Sequence, residues 1–164
     1  MGVIHERVAA EQIQRLKIGG LKVGLCHGCF DILHFGHLRH LASAASMCDA
    51  LVVSVTADRF VNKGPKRPIF QEKYRAEMLA GLACVDGVVI SNFPSAIEVL
   101  QLLHPDRFFK GQEYHLPTQA TNPNFLKERD FAVSIGIEVL HTFEETFSST
   151  ETLNRLYEAM EVKN

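Results

Sequence analysis

The chain has no tryptophan, only three tyrosines and only four cysteines in 164 residues. Four cysteines are too few for a disulfide scaffold, and a reducing, cytoplasmic setting is the simplest expectation. No apolar run approaches the roughly 18 residues that a membrane span requires, so no membrane partner is expected. The opening Met1-Gly2-Val3-Ile4-His5-Glu6 has no basic stretch followed by an apolar one, and Glu6 stands where a myristoylation signal needs Ser or Thr. Charge of one sign is also missing. Seventeen basic against nineteen acidic residues give a net charge of -2, which argues against a general nucleic-acid binder. It leaves room for a small phosphorylated ligand held by a few lysines. No internal repeat, linker or low-complexity stretch divides the chain, so one domain over residues 1–164 is expected, with its core at about 21–155.

What is present is an alternation. Short apolar runs (Leu21–Leu25, Ala50–Val55, Gly87–Ser91, Asp106–Lys110, Ile137–Thr142) are separated by segments of helical period. Val8, Ile13 and Leu16 lie on one side of an amphipathic helix before the first run. Ser148 and Glu151, three apart, predict a capping box that opens a last helix. Strands joined by helices run parallel, so the fold class is α/β. The expectation is a Rossmann-like, doubly wound sheet of five parallel strands with helices on both faces. Such sheets bind ligands beyond the carboxyl ends of their strands.

The densest chemistry lies at one of those ends, in Cys26-His27-Gly28-Cys29-Phe30-Asp31-Ile32-Leu33-His34-Phe35-Gly36-His37. His34 and His37, three apart, share one face of a helical turn. Gly36 between them leaves space for close approach. A helix N-terminus at this point attracts phosphate. Two alternatives use the same stretch: a redox pair of Cys26 and Cys29, or a zinc knuckle of Cys26, Cys29, His34 and His37. Both conflict with a first cysteine lying in a strand. Further on, Lys63, Lys66 and Arg67 cluster in a Gly/Pro loop, suited to a polyphosphate. Lys110-Gly111 ends the fourth run, and Ser148-Ser149-Thr150 begins a helix.

Gly28-x-Phe30-Asp31-x-x-His34-x-Gly36-His37 resembles the signature of the nucleotidyltransferase superfamily with the H-x-G-H motif. Lys63 to Pro68, the segment from Gln71 that holds Arg75, Val85-Asp86, Lys110-Gly111-Gln112-Glu113-Tyr114 and Phe147 to Thr150 resemble its later motifs, in order. The late stretch is nearest the heptose 1-phosphate adenylyltransferase branch, although Glu113 stands where that branch has aspartate. The resemblance implies transfer of a nucleoside monophosphate from a triphosphate, ATP in preference to CTP, to a phosphorylated sugar. It implies Mg²⁺ with the triphosphate, and a homodimer. It makes His34, His37 and Lys66 the catalytic groups. It places Gly28, Cys29, Phe30, Gly36, Lys110, Gly111, Ser148, Ser149 and Thr150 at the nucleotide. It places Asp31, Lys63, Arg67 and Arg75 at the acceptor, with Asp31 also a candidate contact for the metal.

Overall fold

A computed structural model describes residues 2–115, 122–144, 147 and 153–155. In chain order the elements are β1 (Val3–Ile4), α1 (Glu6–Ile18), β2 (Val23–Gly28), α2 (Phe35–Ala45), β3 (Ala50–Thr56), α3 (Glu72–Ala80), β4 (Gly87–Ser91), α4 (Ala96–Leu103), β5 (Arg107–Gly111), α5 (Pro123–Ser134) and β6 (Glu138–Thr142). Short 3-10 turns follow β3 and β5.

The sheet is parallel throughout, in the order β1-β4-β3-β2-β5-β6. Six strands therefore replace the expected five. The addition is β1, whose two residues pair with Val88 and Val89 of β4. A strand that short carries no period for a sequence to reveal. The chain steps from β2 outward through β3 to β4, then returns to the other side of β2 for β5 and β6. The reversal lies between β2 and β5, and a ligand crevice belongs there.

Alternation along the strands divides the core in two. On one face Leu25, Val52, Val89 and Phe108 pack against Ala9 and Ile13 of α1, Val99, Leu100 and Leu103 of α4, and Ala132 of α5. On the other, Cys26, Val53, Val88 and Phe109 pack against Leu41 and Ala44 of α2 and Ala76 and Leu79 of α3. The layers close tightly around Gly24, where a Cβ would lie 2.5 Å from the Phe109 ring. Only a residue without a side chain fits under that ring.

β2 runs further than Leu21–Leu25 suggests. His27 looks like a loop residue, but its Nδ1 and the Ser54 hydroxyl of β3 are hydrogen-bonded at 2.6 Å, so the polar ring is accommodated inside the sheet layer. The predicted capping box at Ser148 lies outside the described residues, as do Ser149 and Thr150. Residues 153–155 are helical.

Candidate active site

The chain leaves β2 at Gly28 and turns through Phe30, whose φ of 48° is left-handed, to reach α2. His34 is the N-cap of α2. Its Nδ1 accepts from the His37 amide at 3.4 Å, and the His37 Nδ1 accepts from the His34 amide at 3.3 Å. Serine and glutamate usually form this reciprocal box; here two imidazoles do. The rings stack with centroids 3.8 Å apart. The arrangement has a chemical consequence. A nitrogen that accepts an amide N–H carries no proton, so each neutral ring holds its proton on Nε2 and offers it as a donor. The amides of Phe35 and Gly36 have no acceptor among the described residues, and helix geometry directs them out past the N-terminus. A Cβ at Gly36 would lie 3.1 Å from both the His34 and the Phe147 rings, a tight contact that those rings would have to yield to. Phe147 also lies against Phe35, with centroids 3.8 Å apart.

Burial pushes the His37 pKa down to about 3, helped by His34 and by the charge of Lys63. The His34 pKa is lowered for the same reasons, burial first and then Lys63. Lys63 therefore lies within electrostatic reach of the pair. Lys63 and Lys66 are both exposed, on the loop after β3. Lys66 has a φ of 62°.

Three residues expected at the ligand are buried and have internal partners. Asp31 is 1% exposed. Its Oδ1 accepts from the amides of Ile69 and Phe70 at 2.7 and 3.0 Å, and its Oδ2 accepts from Arg67 Nε. It latches the basic loop to the histidine loop, which leaves no open carboxylate edge for a metal or an acceptor. Arg75 is fully buried and donates to Cys29 O, Thr56 O, Phe70 O and Asp58 Oδ1. It is neither solvated nor in the crevice. Lys110 is 7% exposed, and its Nζ donates to Glu128 Oε2 of α5 at 2.7 Å. The rings of Phe108 and Tyr114 surround the same ammonium at 4.9 and 4.8 Å. Its charge is thus met from inside the protein, by a carboxylate and two ring faces. Arg67 differs from these three: its Nη2 is buried with no partner among the described residues.

The thiol readings lose their footing. Cys26 is fully buried in the core and its thiol pKa is pushed up by that burial. Burial raises the Cys29 thiol as well. A redox or metal-binding pair needs lowered values. Among the described residues no three His, Cys, Asp or Glu side chains stand together as a ligand set.

Sequence reasoning missed two half-buried imidazoles, His27 and His40. Burial, with the charge of Lys110 second, pushes both His27 and His40 down to about 4. The His40 Nδ1 and the Thr142 hydroxyl are hydrogen-bonded at 2.6 Å, which ties α2 to β6. The sign of the resulting pH dependence is fixed. These rings stay neutral in the folded chain but take up protons below about 6.5 once unfolded. Their contribution to stability is complete above about pH 6.5 and is lost as pH falls toward 4. With His37 included, unfolding at pH 5 is expected to take up close to three protons from this group, about one for each ring. Urea melts from pH 7.5 to 4.5 measure this; a flat free energy between pH 6.5 and 5 would contradict it.

Among the described residues no helix is long and apolar enough to cross a membrane. A profile of the cytidylyltransferase-like family matches residues 25–155. The bifunctional protein HldE of Gluconacetobacter diazotrophicus is 38% identical over 150 residues, covering 90% of this chain and 30% of that protein. The HldE of Acidiphilium cryptum is 36% identical over 156 residues, covering 94% and 31%. The chain thus spans less than a third of the length of these curated relatives. The crystal structure of a lipopolysaccharide core biosynthesis protein from Thermoplasma volcanium shares the fold, with a TM-score of 0.63 at 24% identity over 77% of this chain and all of that one. By the family profile, which runs from the middle of β2 past β6 and takes in the paired imidazoles, the chain belongs to the cytidylyltransferase-like family of nucleotidyltransferases.

Proposed function

We propose that this chain transfers adenylate from Mg²⁺-ATP to a sugar 1-phosphate of the heptose 1-phosphate kind, releasing pyrophosphate. The observation that carries the reading is the reciprocally capped pair His34 and His37 at the end of β2, with two Nε2–H donors and the open first turn of α2 beside them. Donors fixed in advance, at a helix N-terminus, suit a polyanion that gains charge at its leaving group.

An oxygen of the acceptor's phosphate attacks the α-phosphorus. The bond from that phosphorus to the bridging oxygen breaks, and pyrophosphate leaves with the electron pair. A sugar phosphate is already ionised, so no general base is required. The rate then rests on alignment and charge neutralisation. The two imidazoles hold the α- and β-phosphates through their Nε2–H groups. Lys63 and Lys66 bring positive charge from the loop after β3. Arg67 stays the candidate for the acceptor's phosphate; its Nε is held by Asp31, and its buried Nη2 has no partner among the described residues. Gly28, Cys29 and Phe30 contribute backbone beside the nucleotide. Ser148, Ser149 and Thr150 take the end of the triphosphate. A divalent ion bound to the triphosphate would belong to the substrate and would offset part of its charge.

ATP and a heptose 1-phosphate are favoured by the resemblance of Lys110–Tyr114 and Phe147–Thr150 to that branch, and by the repeated match to HldE proteins. A pyrophosphate-release screen of four triphosphates against sugar 1-phosphates and polyol phosphates tests the assignment. The expected result is release with ATP and a heptose 1-phosphate, at least tenfold faster than with CTP. Preference for CTP with glycerol phosphate would overturn the choice of substrate but not of reaction. No release from any pair would overturn the reaction.

A further inference from the structure

Resting on that reading, we propose that Arg75 is a positioning residue, one that holds the histidine loop and the basic loop in mutual register without touching substrate. A buried arginine is ordinarily explained by one acidic partner. Arg75 has Asp58 at 2.7 Å, but its other partners say more. They are three backbone carbonyls from three separate segments: Cys29 between β2 and α2, Thr56 at the end of β3, and Phe70 just before α3. A planar guanidinium presents its donors at fixed angles, so it sets the relative placement of the carbonyls it binds.

The contacts close a ring. Arg75 Nε donates to Phe70 O at 2.9 Å, while the Phe70 amide donates to Asp31 Oδ1 at 3.0 Å. Phe70 is thus gripped on both sides. Arg75 Nη1 donates to Cys29 O, two residues before Asp31. Residues 29–31 and 67–75 are tied twice, once through each charged side chain. Between the ties on one strand of the ring lies Phe30, with its left-handed φ of 48°. His34 and His37 follow directly from that turn. Lys63, Lys66 and Arg67 precede the other side of the ring, and Arg67 itself is bound to Asp31. Asp58 anchors the arrangement to α3, since its Oδ1 also accepts from the Glu72 amide at 2.9 Å and its own amide donates to Glu72 Oε2 at 2.6 Å. With Arg75 at 0% and Asp31 at 1% exposure, neither side chain is open to a ligand. Their influence on turnover is through the residues they place.

Arg75→Lys keeps the charge but loses the fork. A misplacement of about 1 Å in a site of this type costs up to about 10²-fold. We expect kcat to fall about 10- to 100-fold, with KM for Mg²⁺-ATP changed less than threefold. The ground state draws on many contacts, while the displacement depends on alignment. A second readout needs no substrate. In ¹⁵N-histidine spectra of the whole chain, His34 and His37 are expected as fixed Nε2–H tautomers in the parent and as averaging tautomers in Arg75→Lys. Asp58→Asn leaves the guanidinium in place without its counter-charge. It should shift both readouts the same way, by less, and it decides the matter if Arg75→Lys fails to fold.

Folded variants with unaltered kcat and unaltered imidazole signals would overturn the proposal. So would a rise in KM alone, which would mean that Arg75 acts in binding. If the parent transfers no nucleotide, the reaction assignment fails, and the spectra alone decide whether Arg75 sets the imidazoles.

Discussion

Replacing His37 with alanine should reduce the rate of pyrophosphate release by about 10²–10³-fold, the usual cost of removing one fixed donor from a developing charge. The fold should survive, because the His37 amide still caps against His34 Nδ1 in the variant. The loss is therefore chemical more than structural. His34→Ala is the less clean experiment, since it also removes the N-cap of α2, worth about 0.5–2 kcal/mol. Each ring orients the other through the reciprocal box, so the two losses should not add. The double variant should be little slower than either single one. Steady-state pyrophosphate release at saturating Mg²⁺-ATP measures all three. Unchanged turnover in His37→Ala would remove the pair from the mechanism.

The second large effect is on stability. Glu128→Ala should destabilise the chain by about 3–5 kcal/mol, because it strands the Lys110 ammonium in the interior. The pair is 8% and 12% exposed at its side chains. Glu128 Oε1 also accepts from the Ala96 amide at 3.2 Å, at the start of α4, so two donors lose their acceptor together. For a domain of this size the melting temperature should drop by roughly 10 °C. The aromatic rings around Nζ soften the loss but do not replace a counter-ion. Replacing both partners at once, with Lys110→Met and Glu128→Leu, should recover most of it, since the desolvation of both charges disappears. Thermal melts decide between these outcomes. A Glu128→Ala cost below about 1 kcal/mol, the range of exposed pairs, would mean that water reaches the ammonium.

These effects divide along the same line as the legibility of the sequence. The histidine loop could be read because its contacts are local: His34 and His37 are three residues apart, and a strand end with Gly36 in the next turn gives their setting. The doubly wound sheet could be read because apolar runs and helical periods alternate along most of the chain. Asp31, Arg75 and Lys110 could be singled out, but their internal partners could not. Asp31 meets Arg67 across 36 residues, Arg75 meets Cys29 across 46, and Lys110 meets Glu128 across 18 on a separate helix. Charged side chains near strand ends suggest a ligand until the fold supplies an internal partner. Glu128 carries no signal of its own in a helix that also holds Lys127, Arg129 and Asp130. The half-buried rings of His27 and His40 were equally silent, because Ser54 and Thr142 become their partners only when neighbouring elements are assembled.

The two-residue strand at the margin of the sheet does more than raise the strand count. Val3 and Ile4 cover the outer backbone of Val88 and Val89, two residues with no exposed surface. Without that cover, β4 would present a row of free amides and carbonyls beside valine side chains, an invitation to a stray strand from another molecule. A shortened version of the chain should therefore keep its first few residues, because they guard against self-association at an edge remote from the chemistry.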